Sequence, residues 1–340
     1  SNPPASARAI IMKKLLNLQH RVCKSTCFSN GLEDILAWKG KSYINYLLPV
    51  LGGMGEFAYL KFKNANPPHM VYWGANSKYL MKDLEKIIGF NEMLSENKTF
   101  KNTFIKIKEF IDNGQPAVAG ALDMYHLHYY PEIYHKRHIP IHYILVVGYD
   151  DDKQKVYIHD CGCADVQKIS YSEFEKALNV NVPGMSRKNT IRAFVLPHKL
   201  PSELEIAQKG LNLRAQKMLN PPVKLFGIPA MRKLAREIFD WKDKESFEHL
   251  IIYATTPPEF PTTFEKSDGM RFWKSRVLKE LGEKYKINKW LKASAMFKES
   301  GKLIMQICRT AMKHDREKIS DLILRVADVE ESAYKILKQI

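Results

Sequence analysis

A chain of 340 residues, 45% hydrophobic and 26% charged, has the composition of an ordinary globular protein, long enough for one large domain and a smaller one. No run of 18 apolar residues occurs, which argues against a membrane-spanning helix. The net charge of +16 divides evenly, +8 in residues 1–200 and +8 in 201–340, with no basic tail and no zinc-finger, RNP-type or recognition-helix pattern. Nucleic acid is therefore not the expected partner. So diffuse a field suits an acidic carrier protein, or is no more than a lysine-rich surface.

Ser1 to Ile11 lacks the apolar core of a secretory signal, and Met12-Lys13-Lys14 reads as a natural start preceded by an added leader. Five cysteines (Cys23, Cys27, Cys161, Cys163 and Cys308) are too few for a disulfide scaffold, so a reducing cytoplasm is the expected location. The first informative stretch runs from Lys24 to Gly40. Thr26 can cap a helix that begins at Cys27, with Phe28, Leu32, Ile35 and Leu36 on one apolar face and Gly40 as the stop. A thiol at that position feels unpaired amides and the positive end of the helix dipole, both of which favour the thiolate. A small buried hydrophobe is the plain alternative for Cys27.

Leu51-Gly-Gly-Met-Gly-Glu-Phe57 lets the backbone turn sharply or approach something closely, which makes Gly52 and Gly53 candidates for substrate contact. It lacks the phosphate-loop pattern. Helices are expected at about 77–88 and 100–111, and a buried strand at 116–122. Residues 124–142 are dense in tyrosine and histidine. An H-x-H pair there is compatible with a metal, but no acid at recognisable ligand spacing accompanies it. The expectation is a loop flanking a pocket, without metal, with Tyr125 and Tyr143 as a wall for a partly apolar substrate.

Ile139–Val147 and Lys155–Asp160 are rich in β-forming residues and form a hairpin. A turn centred near Asp151 sets His142 opposite Asp160; a slip of two leaves them diagonal on the same face. A histidine oriented by an aspartate, together with a cysteine at a helix start, makes a nucleophile–base–orienter set. Cys161-Gly-Cys163 with Cys23 and Cys27 offers four thiols, at spacings unlike a standard zinc site. A short capped helix at 169–177 and a strand at 192–196 follow. Beyond Pro201 the pattern is helical, at about 202–218, 229–239, 244–254, 269–285, 293–313 and 316–340. The expected domains are therefore 12–200 and a helical 201–340 that borders a catalytic cleft.

Cys27…Gly40, Leu51–Phe57, His142–Asp151 and Val156–Asp160 resemble the N-terminal domain of the butirosin-biosynthesis acyltransferase family, itself similar to papain-like and C39-type cysteine peptidases. Gly269–Leu278 resembles the helical domain commonly found after it, and the amide-forming protease homologue of closthioamide assembly is a possible near relative. The resemblance implies an α+β, papain-like fold in which a Cys-bearing helix packs on an antiparallel sheet, followed by a mainly helical region. It implies Cys27 as nucleophile, His142 as base and Asp160 as orienter. The acyl or peptidyl group would move from a phosphopantetheinyl carrier-protein thioester to a small amine, with no other cofactor, in secondary-metabolite biosynthesis. Two departures stand out. Thr26 occupies a place where the family often has histidine. Papain-like enzymes also carry an oxyanion-donating glutamine about six residues before the cysteine, where this chain has Arg21; Gln19 is the nominated donor instead, with the Cys27 amide. A papain-like hydrolase and a non-enzymatic binding module with a basic surface are the competing readings.

Overall fold

The computed structural model describes residues 12–23, 27–74, 77–183, 185–252 and 270–338. In chain order they hold β1 (Lys13–Leu15), α1 (Cys27–Trp38), α2 (Leu47–Leu51), β2 (Ala58–Lys61), β3 (His69–Tyr72), α3 (Ser77–Ile88), β4 (Asn91–Glu96), α4 (Phe100–Asp112), β5 (Ala117–Leu122), β6 (His142–Asp150), β7 (Lys155–His159), β8 (Gln167–Ser170), α5 (Tyr171–Leu178) and β9 (Thr190–Val195). The helices α6 (Glu203–Leu219), α7 (Gly227–Glu237), α8 (Lys244–Ile252), α9 (Met270–Tyr285), α10 (Asn288–Ala311) and α11 (Arg316–Leu337) complete the chain. The fold is α+β, with an antiparallel sheet and a helical C-terminal region. No helix among the described residues is long and apolar enough to cross a membrane.

Two compact units divide the chain: residues 1–42 with 90–196, and residues 43–89 with 197–340. One division falls at 196/197, and residues 43–89 group with the helices instead of with the rest of 12–200. Their packing explains it. The β2–β3 hairpin lies on α7 and α8, where Tyr59 Oη donates to Glu237 (2.9 Å) and Trp73 Nε1 to the Leu250 carbonyl (3.3 Å). In the same unit Arg214 pairs with Asp83 and Glu56, and Arg271 with Glu330 at 2.7 Å.

The first unit is built on one antiparallel sheet in the order β4-β9-β5-β6-β7-β8, with β1 pairing the turn end of β6. Ile144 and Val146 of β6, Val156 and Ile158 of β7, Ile107 and Ile111 of α4, and Phe174 and Leu178 of α5 share one buried cluster. Helix α1 packs on β5 and β6 so closely that a methyl at Gly31 would lie 2.7 Å from Val118 Cγ2 and 3.3 Å from Leu145 Cβ. Its apolar face is the expected one: Phe28, Leu32, Ile35 and Leu36 are all buried. Gly40, at φ +81°, ends the helix in a Schellman motif, with Lys41 N–H donating to Leu36 O (2.9 Å) and Gly40 N–H to Ala37 O (2.9 Å).

The β6–β7 hairpin differs from the expected register in an instructive way. Asp150 opposes Lys155 and Tyr149 opposes Val156, but beyond a bulge at Val147 the pairs become Val146–Ile158 and Leu145–His159. Continued without the bulge, the turn-end register would set Asp160 opposite Leu145, on the other face from His142. The extra residue moves Asp160 across from Ile144. His142 and Asp160 are thus diagonal neighbours on one face, two residues from direct opposition.

Candidate active site

Cys27 is the first residue of α1 and is partly exposed; Thr26, the expected cap, lies outside the described residues. His142 starts β6 and is buried, and Asp160 follows β7 and is fully buried. The three side chains are brought together. His142 Nε2 lies 2.8 Å from Asp160 Oδ2, and the Cys27 side chain is near enough to the same ring to raise its pKa.

The carboxylate of Asp160 is held by four donors. His142 and Tyr129 (2.8 Å) reach Oδ2, while Tyr130 (2.7 Å) and the Gly162 amide (3.3 Å) reach Oδ1. Burial pushes the Asp160 carboxyl up, but the His142 charge and these hydrogen bonds outweigh it and hold the group at about 2. Burial likewise disfavours the charged form of His142, yet the Asp160 charge and hydrogen bond, with Cys27, lift it to about 10. At neutral pH the ring is an imidazolium beside the Asp160 carboxylate and the Cys27 side chain. Burial raises Tyr129 and Tyr130 well above the usual phenol range, with the Asp160 charge adding to it, so both remain hydrogen-bond donors.

A second imidazole–carboxylate group braces the first. His20 Nδ1 lies 2.6 Å from Asp34 Oδ2 and His20 Nε2 lies 2.9 Å from the Asp160 carbonyl. Both neighbours are acceptors, so both ring nitrogens carry hydrogen and the ring is cationic. Burial lowers the pKa of His20, but the Asp34 contacts and the backbone acceptors raise it overall. His159 Nδ1 approaches the same Asp34 oxygen at 3.2 Å, and the Arg21 amide donates to Asp34 Oδ1 at 3.1 Å. Asp34 lies on α1, so this network ties the helix that carries Cys27 to the strand end that carries Asp160. On the same helix Asn30 Nδ2 donates to Arg21 O (2.7 Å) and Glu33 accepts from Arg21 Nη2 (2.7 Å).

The other expected site residues have surroundings of their own. Gln19 is exposed, one residue before the histidine that is engaged. Gly52 and Gly53 belong to the second unit, where the Leu80 side chain presses on Gly52 and the Arg214 guanidinium on Gly53. Tyr143 is buried against Phe28, ring centroids 4.5 Å apart, on the α1 face of the sheet. Tyr125 stacks on His138 at 4.1 Å. Tyr129, Tyr130, His20, Asp34 and His159 escaped the sequence reading. The one available signal was the polar set Ser29, Asn30, Glu33 and Asp34 in a helix whose apolar face reads as buried.

Residues 26–161 match the family described as butirosin biosynthesis protein H, N-terminal, and residues 172–337 match a domain of unknown function, DUF4872. Residues 26–161 thus belong to the butirosin biosynthesis protein H, N-terminal, family. No curated protein matches it.

Proposed function

We propose that this chain is a cysteine-dependent acyltransferase of secondary-metabolite (antibiotic) biosynthesis, with a papain-like first unit that forms an amide by way of an acyl thioester on Cys27. The observation that supports this most is the placement of one imidazolium, His142, beside a cysteine at a helix start and a carboxylate with four donors. Family membership directs that machinery towards biosynthesis.

In the first half-reaction the Cys27 thiolate attacks the carbonyl of an acyl or peptidyl thioester on a carrier protein. The tetrahedral oxyanion collapses, the enzyme thioester forms, and the carrier thiolate leaves with the proton held on His142. In the second, a neutral amine attacks the enzyme thioester, its proton passes to His142, and Cys27 leaves as thiolate with an amide formed. Asp160 keeps the ring oriented and stabilises its charge throughout. The Cys27 amide is the main oxyanion donor in this reading. Gln19 would have to turn inward to assist it.

The test is to load the protein from an acylated carrier protein and follow its intact mass with and without candidate diamines. An acyl-enzyme that persists in buffer and is consumed with amide formation when amine is added supports transfer. Rapid release of free acid regardless of amine overturns it in favour of a hydrolase, and no acylation of Cys27 at all overturns both.

A further inference from the structure

The segment between β5 and β6 gathers ligands of a different kind. His126 closes a 3-10 turn (Met124–His126), His135 follows in the same segment, and Glu173 lies in the first turn of α5. Glu173 Oε2 is 3.2 Å from His126 Nδ1 and 3.6 Å from His135 Nε2, and all three ligand atoms lie within 4.8 Å of one another. Metal–ligand bonds of about 2.0–2.1 Å in tetrahedral geometry set neighbouring ligand atoms about 3.3 Å apart. The two measured separations bracket that value. Lys176 Nζ takes the other oxygen, Glu173 Oε1, at 2.7 Å, so Oε2 is left to the imidazoles.

The surroundings favour a built site. His135 is held at φ +54°, a left-handed conformation that non-glycine residues seldom adopt, and its amide donates to Tyr125 O at 3.0 Å. The Tyr125 ring packs beside both imidazoles, 5.1 Å from each, and supports them from one side. His135 is half exposed, which leaves a route in and room for water as a further ligand.

Two other groupings compare poorly. In His20–Asp34–His159 the shortest separation is 2.6 Å, a hydrogen bond with no room for an ion between its atoms. In His142–Asp160–Cys161 the carboxylate is already filled by its four donors.

From these separations we propose that His126, His135 and Glu173 bind one first-row transition-metal ion of the Zn2+ class, with a coordination position left open to solvent. The sequence offered the histidines without an acid at ligand spacing. The fold supplies Glu173 from α5. The ion ties α5 to the segment that also carries Tyr129 and Tyr130, and any effect it has on Asp160 rests on the acyl-transfer reading. Its binding does not.

The probe is Co2+, titrated into full-length protein freed of metal with EDTA and returned to chelator-free buffer. A saturable 1:1 visible d–d spectrum without the near-ultraviolet thiolate band of a cysteine ligand is expected. Replacement of one ligand, Glu173→Gln or His135→Ala, weakens binding by at least about 100-fold. His128→Ala, which removes an exposed histidine outside the cluster, leaves it unchanged. Because His135 is half exposed, His135→Ala tests the site without disturbing the core. Absence of saturable binding, a thiolate band, or unchanged affinity in His135→Ala would each overturn the proposal, whatever the outcome of the acyl-transfer assay.

Discussion

Replacing Gly31 by alanine sets two effects of known size against each other. In a helix interior the change gains about 1 kcal/mol from propensity alone. Against it, the new Cβ would sit 2.7 Å from Val118 Cγ2 and 3.3 Å from Leu145 Cβ. Carbon–carbon contacts are favourable at about 3.5–4.0 Å, so the nearer overlap is roughly 1 Å. Val118 is buried and stiff at its β-branch, so α1 has to retreat from the sheet. Overpacking of this kind costs about 1–3 kcal/mol, so the net change is a destabilisation of about 0–2 kcal/mol. Function suffers more than stability. Gly31 lies one turn beyond Cys27, and a shift near 1 Å in a reacting atom can lower turnover about 100-fold. Urea unfolding with the rate of acylation at Cys27 measures both. A variant more stable by the full propensity gain, with unchanged acylation, would refute the close packing of α1 on β5 and β6.

Brief iodoacetamide treatment with peptide mapping should label Cys27 first, because burial raises the thiols of Cys161, Cys163 and Cys308, with the Cys27 and Asp160 charges adding to it at Cys161; preferential labelling of one of those would dismiss it as nucleophile. Asp160→Asn should cut turnover by about 10⁴-fold with circular dichroism unchanged, since an amide neither stabilises the imidazolium nor fixes its tautomer. Tyr129→Phe and Tyr130→Phe each remove a hydrogen bond to a charged group and should cost about 1.5–3 kcal/mol in urea unfolding, and together they should raise the Asp160 pKa. The His142–Asp160 pair also predicts a pH profile of stability. The raised His142 contributes fully below its ordinary 6.5 and loses that contribution as pH climbs through about 10. The lowered Asp160 contributes fully above its ordinary 3.8 and loses it as pH falls through about 2. Thermal melts across that range should show both limbs, and both should flatten in Asp160→Asn.

What could be read in advance was local and periodic. The helix at Cys27 announced itself by four apolar residues at helical spacing and a glycine stop, and the long C-terminal helices did so by the same pattern. The His142–Asp160 pairing was legible as a shared face, but not the bulge that secures it. Every residue from Tyr143 to Val147 is apolar, so either face of β6 reads as buried and nothing in the pattern marks the extra residue. Strand β4, Asn-Glu-Met-Leu-Ser-Glu, is an edge with mixed exposure and carries no strand signature. The donors on Asp160 and the His20–Asp34 brace join positions that are far apart in the chain. Only the fold makes them neighbours, as it does for Glu173 and the two histidines beside it.

Because residues 43–89 belong with 197–340, the polypeptide passes from one unit to the other three times. During synthesis the Cys27 segment emerges well before its sheet is complete, which waits until Thr190–Val195 has been made. The partners of the second unit's opening stretch come later still. A chain cut at residue 200 would retain all three side chains of the site and leave 43–89 with its apolar surface uncovered. Insolubility of such a fragment would say nothing about Cys27, His142 or Asp160. A dissection that respects the fold has to excise 43–89 and join residue 42 to residue 90 across the gap.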